Sequence, residues 1–542
     1  MKKQISLSIL LILVLLTGNA QEKQGFGLFT DRDVYVSGET LLAKIYTPAD
    51  NPSRIVYLDL VNPYGTRICG VSLQVSKNQA DGFLQLPDSL HSGTYLLRTY
   101  FKNTGEKSKV IREIWVSNRF DGLEKTTQMN RLAGLEKCQD HPTAQIEINQ
   151  LESEYHTPGK IEVKIKVDEK LLMEMDGNMM VSVAQTEPSF IPASFVWNSD
   201  LMQDGQNENR GIILSGIVTD KGSMLPASGI TVCLTIPDSI PGFQYYQTKT
   251  DGRFYFTVNN YFGAVPAVVQ CFGPEYSGSQ RLKIKLDDLF APPDKLTELS
   301  VVPLTESFKS DIAQKIDAVT FQKIFNENNL TLLSAPKRKL DTYPYYGKPS
   351  NTVNPHLFID LPNFNEVSKE LLPGVKFRNY NNEPTMKVIN SASRLYFDDQ
   401  PLVLIDGIPI RDLNVIKDMG TADIKRVDIC QSERFYGDLR FPGVVAIYTT
   451  KADYSQLPES DQLIRIKLET IQVPVTLAER GNTESTVPDL RQVIYWNPSV
   501  APSGNLSVNC TTSSIVGQFK LVIRGKLKNG TTVFAEKQFE VK

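Results

Sequence analysis

Between Phe26 and Val116 the chain repeats one cadence, a short run of apolar and β-branched residues closed by a turn signal. The runs are Leu41 to Tyr46, Ile55 to Val61, Val71 to Val75, Gly82 to Leu86, Tyr95 to Tyr100 and Val110 to Val116. Ser37-Gly38, Asn62-Pro63, Asp81-Gly82 and Ser92-Gly93 punctuate them. Short strands separated by turns at this spacing imply an antiparallel β-sandwich, expected over residues 21–118.

The same logic extends down the chain. Ile161, Val163, Ile165 and Val167 alternate strictly with charged residues, the period of a half-buried strand, and Met179 to Ala184 supplies a later strand of a second sandwich, 119–208. Tyr35-x-x-Gly and Tyr155-x-x-x-Gly open the two units alike and suggest a duplicated module. A third sandwich, 209–290, is read from Ser215 to Asp220, Ile230 to Leu234 and Thr250 to Phe256, with Asp251-Gly252 as a hairpin turn. Residues 291–355 change character. Phe308, Ile312, Ile316, Val319 and Ile324 form a helical stripe, expected to pack on a sandwich, and an irregular linker with the basic triplet Lys337-Arg338-Lys339 and Tyr343-Pro344-Tyr345-Tyr346-Gly347 follows. The tail, 453–542, returns to sandwich character at Ile494-Tyr495-Trp496, Gly517 to Ile523 and Phe539-Glu540-Val541.

Pro401 to Lys451 departs from the sandwich pattern. Leu402 to Ile405 reads as a buried strand, and Asp406-Gly407 before Pro409 as a turn, because glycine takes positive φ at no steric cost. Leu413, Ile416 and Met419 can share a helical face, and Ile424 to Ile429 and Val444 to Thr450 give two further extended runs. The expectation is a small α+β unit over 356–452.

Three resemblances attach to these residues. Ile405-Asp406-Gly407-Ile408-Pro409, Ile424 to Ile429, Tyr436-Gly437 and Gly443 to Lys451 resemble the plug domain of TonB-dependent outer-membrane receptors, with Leu371 to Val375 matching its early part. That resemblance makes Asp406, Gly407, Tyr436, Gly437 and Gly443 a structural signature. Plugs sit inside large barrels, and with 91 residues after Lys451 (542 − 451) the expectation is a plug without its barrel, since each transmembrane strand takes about 9–11 residues. Thr30-Asp31-Arg32-Asp33-Val34-Tyr35-Val36-Ser37-Gly38-Glu39, with Leu86 to Leu90 and Gly93-Thr94-Tyr95, resembles a macroglobulin-type domain of the alpha-2-macroglobulin superfamily. Cys138-Gln139 lacks the Cys-Gly-Glu-Gln thioester motif, so covalent trapping is not expected. The 211–256 stretch resembles the carboxypeptidase regulatory-like fold, an accessory domain without catalysis of its own. The fold class is therefore mainly β: tandem immunoglobulin-like or macroglobulin-like sandwiches with a small α+β plug-like domain.

Met1-Lys2-Lys3, the apolar run Ile5 to Leu16 and Gly18-Asn19-Ala20 have the order of a secretory signal peptide, 1–20, and imply export to the periplasm or the periphery of the outer membrane. No transmembrane segment is expected in the mature chain. A net charge of −3 offers no field for nucleic acid. The six cysteines, Cys69, Cys138, Cys233, Cys271, Cys430 and Cys510, are scattered; Cys233 and Cys271 could pair, with buried free thiols the preferred reading. No motif for a metal, a phosphate loop or a catalytic elbow is present. The four histidines (His91, His141, His156, His356) are dispersed, and Asp398-Asp399 reads as a solvated turn. No cofactor, metal or catalytic residue is assigned. Two functions remain in view: a non-enzymatic envelope scaffold that presents the plug-like unit to an envelope or outer-membrane protein, accessory to uptake or assembly, and an enzyme or peptidase-related accessory with a site at a domain junction.

Overall fold

A computed structural model describes residues 26–48, 53–102, 108–122, 128–132, 143–186, 190, 192, 194–198, 207–273, 281–293, 299–325, 330–336, 341–380, 383–452, 454, 457–477 and 488–542. The expected signal peptide, 1–20, Cys138-Gln139, His141 and the 337–339 triplet lie outside them. The fold is mainly β, built of β-sandwiches, and falls into two units: residues 1–209, 290–335 and 471–542, and residues 210–289 and 336–470.

The first unit is built on four larger sheets, with two two-stranded ribbons, Gln128–Leu132 with Leu299–Pro303 and Leu330–Leu332 with Val475–Leu477, beside them. Gly27–Thr30, Thr40–Tyr46 and Gln79–Gln85 form one sheet. Its partner runs in the order Ser194–Asn198, Ser108–Ser117, Gly93–Tyr100, Ile55–Val61, Arg67–Gln74. Strand alternation sends Leu41, Ala43 and Ile45 inward to meet Val56, Leu58, Leu97 and Ile114. The opposite face of Thr40–Tyr46 is also covered, since Leu42 and Tyr46 pack on Met180, Ala184, Trp496 and Val522 of a second sandwich. That sandwich joins a sheet of Glu154–Tyr155, Thr532–Val541, Gly517–Lys526, Met179–Gln185 and Val493–Val500 to one of Ile146–Asn149, Lys160–Val167 and Asn505–Thr511. The alternation read at 160–167 is observed, with Ile161, Val163, Ile165 and Val167 buried and the residues between them exposed. Strands from the separate sequence ranges 119–208 and 453–542 thus share both sheets, because neither range has enough strands to cover its own apolar faces.

Helix Glu306–Ile324 starts at Thr305, whose side chain accepts the Phe308 N–H, and buries Phe308 and Ile312 against Val34 and Trp115. The expected stripe ends at Val319. Ile324 is 72 % exposed, because five further residues carry it about 140° around the helix.

One polar cluster lies fully inside this unit. Asp59 accepts from Arg98 Nε at 2.8 Å and Nη2 at 2.6 Å, and from the Tyr100 hydroxyl at 3.1 Å. Arg98 also donates to the carbonyls of Ala291 and Pro292, and the Tyr57 hydroxyl donates to Glu208 at 2.6 Å, so segments remote in sequence are fastened to this sheet. Burial pushes the Asp59 carboxyl above its usual range, a shift that the Arg98 hydrogen bonds and charge oppose.

In the second unit, one sheet of the third sandwich is Arg253–Val258, Ile212–Asp220 and Leu282–Leu286. The other runs Gly242–Gln247, Thr231–Ile236, Ala264–Phe272 and Leu463–Glu469, so a strand from the expected tail domain completes this sandwich. Cys233 and Cys271 are both buried and free. Register explains why: Cys271 stands opposite Val232 and Cys233 opposite Gln270, which sends the two thiols to opposite faces. The rest of the unit is an α+β module that begins at Asn351. Its sheet order is Asn351–Val353, Ile424–Cys430, Val444–Thr449, Leu402–Ile405, Ile408–Ile410. Leu402–Ile405 reads as a continuous apolar run because both faces are covered, Val403 and Ile405 on one side and Leu402 and Leu404 on the other. Helix Phe364–Leu371 is started by Asn363, whose side chain accepts the Glu366 N–H at 3.0 Å. Leu413, Ile416 and Met419 are buried as expected, but on a 3₁₀ turn, Leu413–Val415, and the irregular turn that follows it, rather than a helix. Asp412 caps that turn, and only a few residues separate it from the next strand at Ile424.

Candidate functional site

The turn after Leu402–Ile405 consists of Asp406 and Gly407, with φ of +48° and +85°. Two successive positive values define the type I′ hairpin turn, which the asparagine- or aspartate-glycine pair favours. Asp406 does more than turn the chain. It is 6 % exposed, and its carboxylate accepts the Thr449 N–H at 2.8 Å and the Thr449 hydroxyl at 2.7 Å. Its own N–H donates to Ile447 O at 2.8 Å, so the turn is fastened to the adjacent parallel strand. A Cβ at Gly407 would stand 2.5 Å from Pro241 Cβ and closer still to Cγ.

Tyr436 and Gly437 lie on a second hairpin, Arg434–Tyr436 with Leu439–Phe441. Gly437 has φ of +58°, and a Cβ there would come within 3.1 Å of Tyr245 Cζ and closer to its hydroxyl. That hydroxyl accepts the Asp438 N–H at 2.9 Å, while the Tyr436 hydroxyl donates to Phe243 O at 2.8 Å. Around this bond the rings close into a cluster. Phe243 stacks on Tyr345 with centroids 4.2 Å apart, and Tyr436 meets Phe243 and Tyr345 edge-on at 5.4 Å each. Tyr346 continues the cluster inward, bonding Asp428 at 3.1 Å and the Tyr448 hydroxyl at 2.8 Å. Burial pushes the phenols of Tyr436, Tyr346 and Tyr448 above their ordinary value. A Cβ at Gly443, where φ is +93°, would stand 2.9 Å from Cys430 O, so this glycine serves the packing of its own sheet.

Three of the five signature residues therefore meet one short target. Gly407 abuts Pro241, Tyr436 bonds Phe243, and Gly437 and its neighbour Asp438 rest on Tyr245. Of the receiving residues, Pro241, Phe243 and Tyr245 are not marked by the sequence reading, and Tyr345 enters it only as part of the linker. The available signal is the aromatic density of 242–247, to which no strand is assigned, and of 343–347, assigned to a linker.

Beside this joint lies a cleft of about 760 Å³. Leu402, Ile410 and Phe441 line it as buried apolar residues, and Asp399, Arg411, Asp438 and Arg440 stand around it as exposed charges of both signs. It brings together no histidine, thiol or serine with a base. Among the described residues no group of three His, Cys, Asp or Glu side chains could hold a metal. His91, His156 and His356 are exposed and far apart in sequence, and Asp398 and Asp399 are exposed. Cys69, Cys271 and Cys510 have thiols pushed up to about 12 by burial, which leaves them protonated and unreactive at neutral pH.

No family model and no curated protein matches the chain. Among solved structures it is similar to the alpha-2-macroglobulin of Salmonella reacted with methylamine, at 10 % identity and a TM-score of 0.21 over 95 % of this chain and 39 % of that one. It is also similar to native alpha-2-macroglobulin of E. coli, at 10 % identity and a TM-score of 0.23 over 96 % and 40 %. A tetra-tandem repeat from the extending region of a large adhesion protein gives 10 % identity and a TM-score of 0.14 over 96 % and 98 %. The chain spans about two fifths of the length of the macroglobulins it matches.

Proposed function

We propose that this chain is a non-enzymatic binding or scaffold protein of the cell envelope, in which β-sandwiches hold a receptor-plug-like module for contact with another protein. The observation that carries the reading is the joint just described. Gly407, Tyr436 and Gly437 of the signature are spent on fixing the module to Pro241, Phe243 and Tyr245 of the neighbouring sandwich. Residues engaged in packing of this kind orient a surface; they do not carry a reaction. The module's resemblance to receptor plugs, the regulatory-like character of the 212–286 sandwich and the leader-like N-terminus support a place in the periplasm or on the periphery of the outer membrane. Among the described residues no helix is long and apolar enough to cross a membrane.

Photo-crosslinking tests this reading. A photoreactive residue placed at Phe358, which is 58 % exposed on the module, should give a discrete adduct with an envelope protein in living cells. The same residue at Tyr64, exposed on the first sandwich, should not give that adduct. Adducts that are absent at both positions, or equal at both, contradict presentation of the module. A folded Asp406→Asn variant that keeps its partner but loses a measurable turnover would favour the alternative, an enzyme with its site at the junction.

A further inference from the structure

We propose that the 760 Å³ cleft receives an extended peptide from a partner protein, added as a strand to the edge of Gly242–Gln247; this rests on the contact function above. Among the described residues that strand pairs on one side only, with Thr231–Ile236. Antiparallel pairing turns the main-chain groups of alternate residues toward and away from the partner strand. Two bonds fix the phase here. Thr248 N–H donates to Ile230 O across the pair, so residues 248, 246, 244 and 242 face inward. Phe243 O faces outward, where it accepts the Tyr436 hydroxyl. Tyr245 and Gln247 therefore direct N–H and C=O out of the sheet, and both residues line the cleft.

The surrounding edges are treated differently. Strand Ile408–Ile410, the edge of the module's sheet, is blunted by Pro409, which has no N–H and whose carbonyl already accepts Gln270 Nε2 at 3.0 Å. The 434–441 hairpin covers the 242–247 edge at Phe243. Along that edge Tyr245 to Gln247 line the cavity, joined by Thr231 of the neighbouring strand. Its floor is apolar, with Leu402, Ile410 and Phe441, which suits alternate side chains of a strand, and the two aspartates and two arginines around it balance, which disfavours a strongly charged ligand. A main-chain ladder over an apolar floor is how strand addition gains affinity and specificity.

The test begins with linear dodecapeptides displayed on phage and panned against the full chain. A selected peptide is then titrated by calorimetry against wild type, Gln247→Pro and Gln247→Ala. The proline removes the outward N–H without touching the bonds to Thr231–Ile236, and the alanine removes only the side chain. Binding should fall by about tenfold or more in Gln247→Pro and stay within about threefold in Gln247→Ala. Methylating the peptide's own backbone nitrogens at alternate positions should abolish binding in one phase and spare it in the other, with the protein unaltered. Equal binding to all three proteins, methylation sensitivity without that alternation, or no peptide that protects Tyr245 to Gln247 from hydrogen exchange overturns the proposal. If the photo-crosslinked partner of the module still binds Gln247→Pro unchanged, contact function stands and strand addition falls.

Discussion

Replacing Gly407 by valine tests the joint where both its constraints act at once. The backbone there has φ of +85°, a conformation that a β-branched residue adopts at a cost of about 1–3 kcal/mol. The new Cβ would also stand 2.5 Å from Pro241 Cβ, and forcing such an overlap apart costs about 1–3 kcal/mol more. The two together come to roughly 4 kcal/mol, and since each 1.4 kcal/mol is a factor of ten, protection of the module's amides should drop by about a thousandfold. Hydrogen exchange read by mass spectrometry measures this directly over Leu402–Ile405, Ile408–Ile410 and Val444–Thr449. The sandwich core at Ile212–Asp220 should exchange as before. Adding Pro241→Gly removes the overlapping atoms but not the φ strain, so the double variant should recover about half of the loss in free energy. Protection within threefold of wild type in the single variant, or no recovery in the double, would refute the argument.

Other perturbations probe the rest of the chain. Lys44 is fully buried between the two sandwiches of the first unit, its ammonium without a hydrogen-bond partner among the described residues and facing Asp81 across the strand pair. Burial holds its pKa down to about 8, against 10.5 normally. Between those values the unfolded chain binds more protons than the folded one, so stability should rise with pH through that window and the penalty below it is about 3 kcal/mol. Lys44→Met should therefore be the more stable protein at pH 7, with the difference shrinking by pH 10.5. The buried Trp115 and Trp496 belong to this unit, and their fluorescence in urea reports it. Asp59→Ala strands the buried Arg98 guanidinium and should cost about 3–5 kcal/mol in the same titration, whereas Asp33→Ala, whose partner Arg112 is partly exposed, should cost about 1 kcal/mol or less. Tyr436→Phe deletes only the bond to Phe243 O and should loosen exchange of the 434–441 hairpin by about tenfold, about 1.4 kcal/mol, without affecting the helix Glu306–Ile324.

Local signals in the sequence were legible wherever one short stretch decides its own conformation. The alternation at 160–167, the Asp406-Gly407 turn and the apolar run at Leu402–Ile405 all appear in the structure at the residues that announced them. What pairs with what was not legible. Leu463–Glu469 pairs with Ala264–Phe272, and Asn505–Thr511 pairs with Lys160–Val167, across separations that no window of periodicity spans. The expected helix at Leu413 to Met419 failed for a related reason: apolar spacing marks burial, and a short 3₁₀ turn can bury the same side chains. At the site, the signature residues were visible as turn chemistry. Their targets Phe243 and Tyr345 were not, since aromatic side chains in a strand and beside a linker carry no mark of what they will stack on.

The second sandwich has a kinetic consequence. Lys160 pairs with Thr511, so the two halves of that domain are 351 residues apart (511 − 160). A chain delivered N-terminus first at about 5–20 residues per second leaves the apolar face of Ile161, Val163, Ile165 and Val167 waiting roughly 20–70 seconds for its partner strand. Through that interval the edge of the strand that is not paired with Ile146–Asn149 is a template for wrong neighbours, including the same strand of another nascent molecule. The three lysines that face outward along it, Lys160, Lys164 and Lys166, discourage such pairing by placing like charges together. The protein's yield should therefore be limited by how quickly residues 493–541 arrive, and slowing synthesis anywhere between Gln185 and Val493 should raise the fraction lost to aggregation while leaving the stability of the finished molecule unchanged.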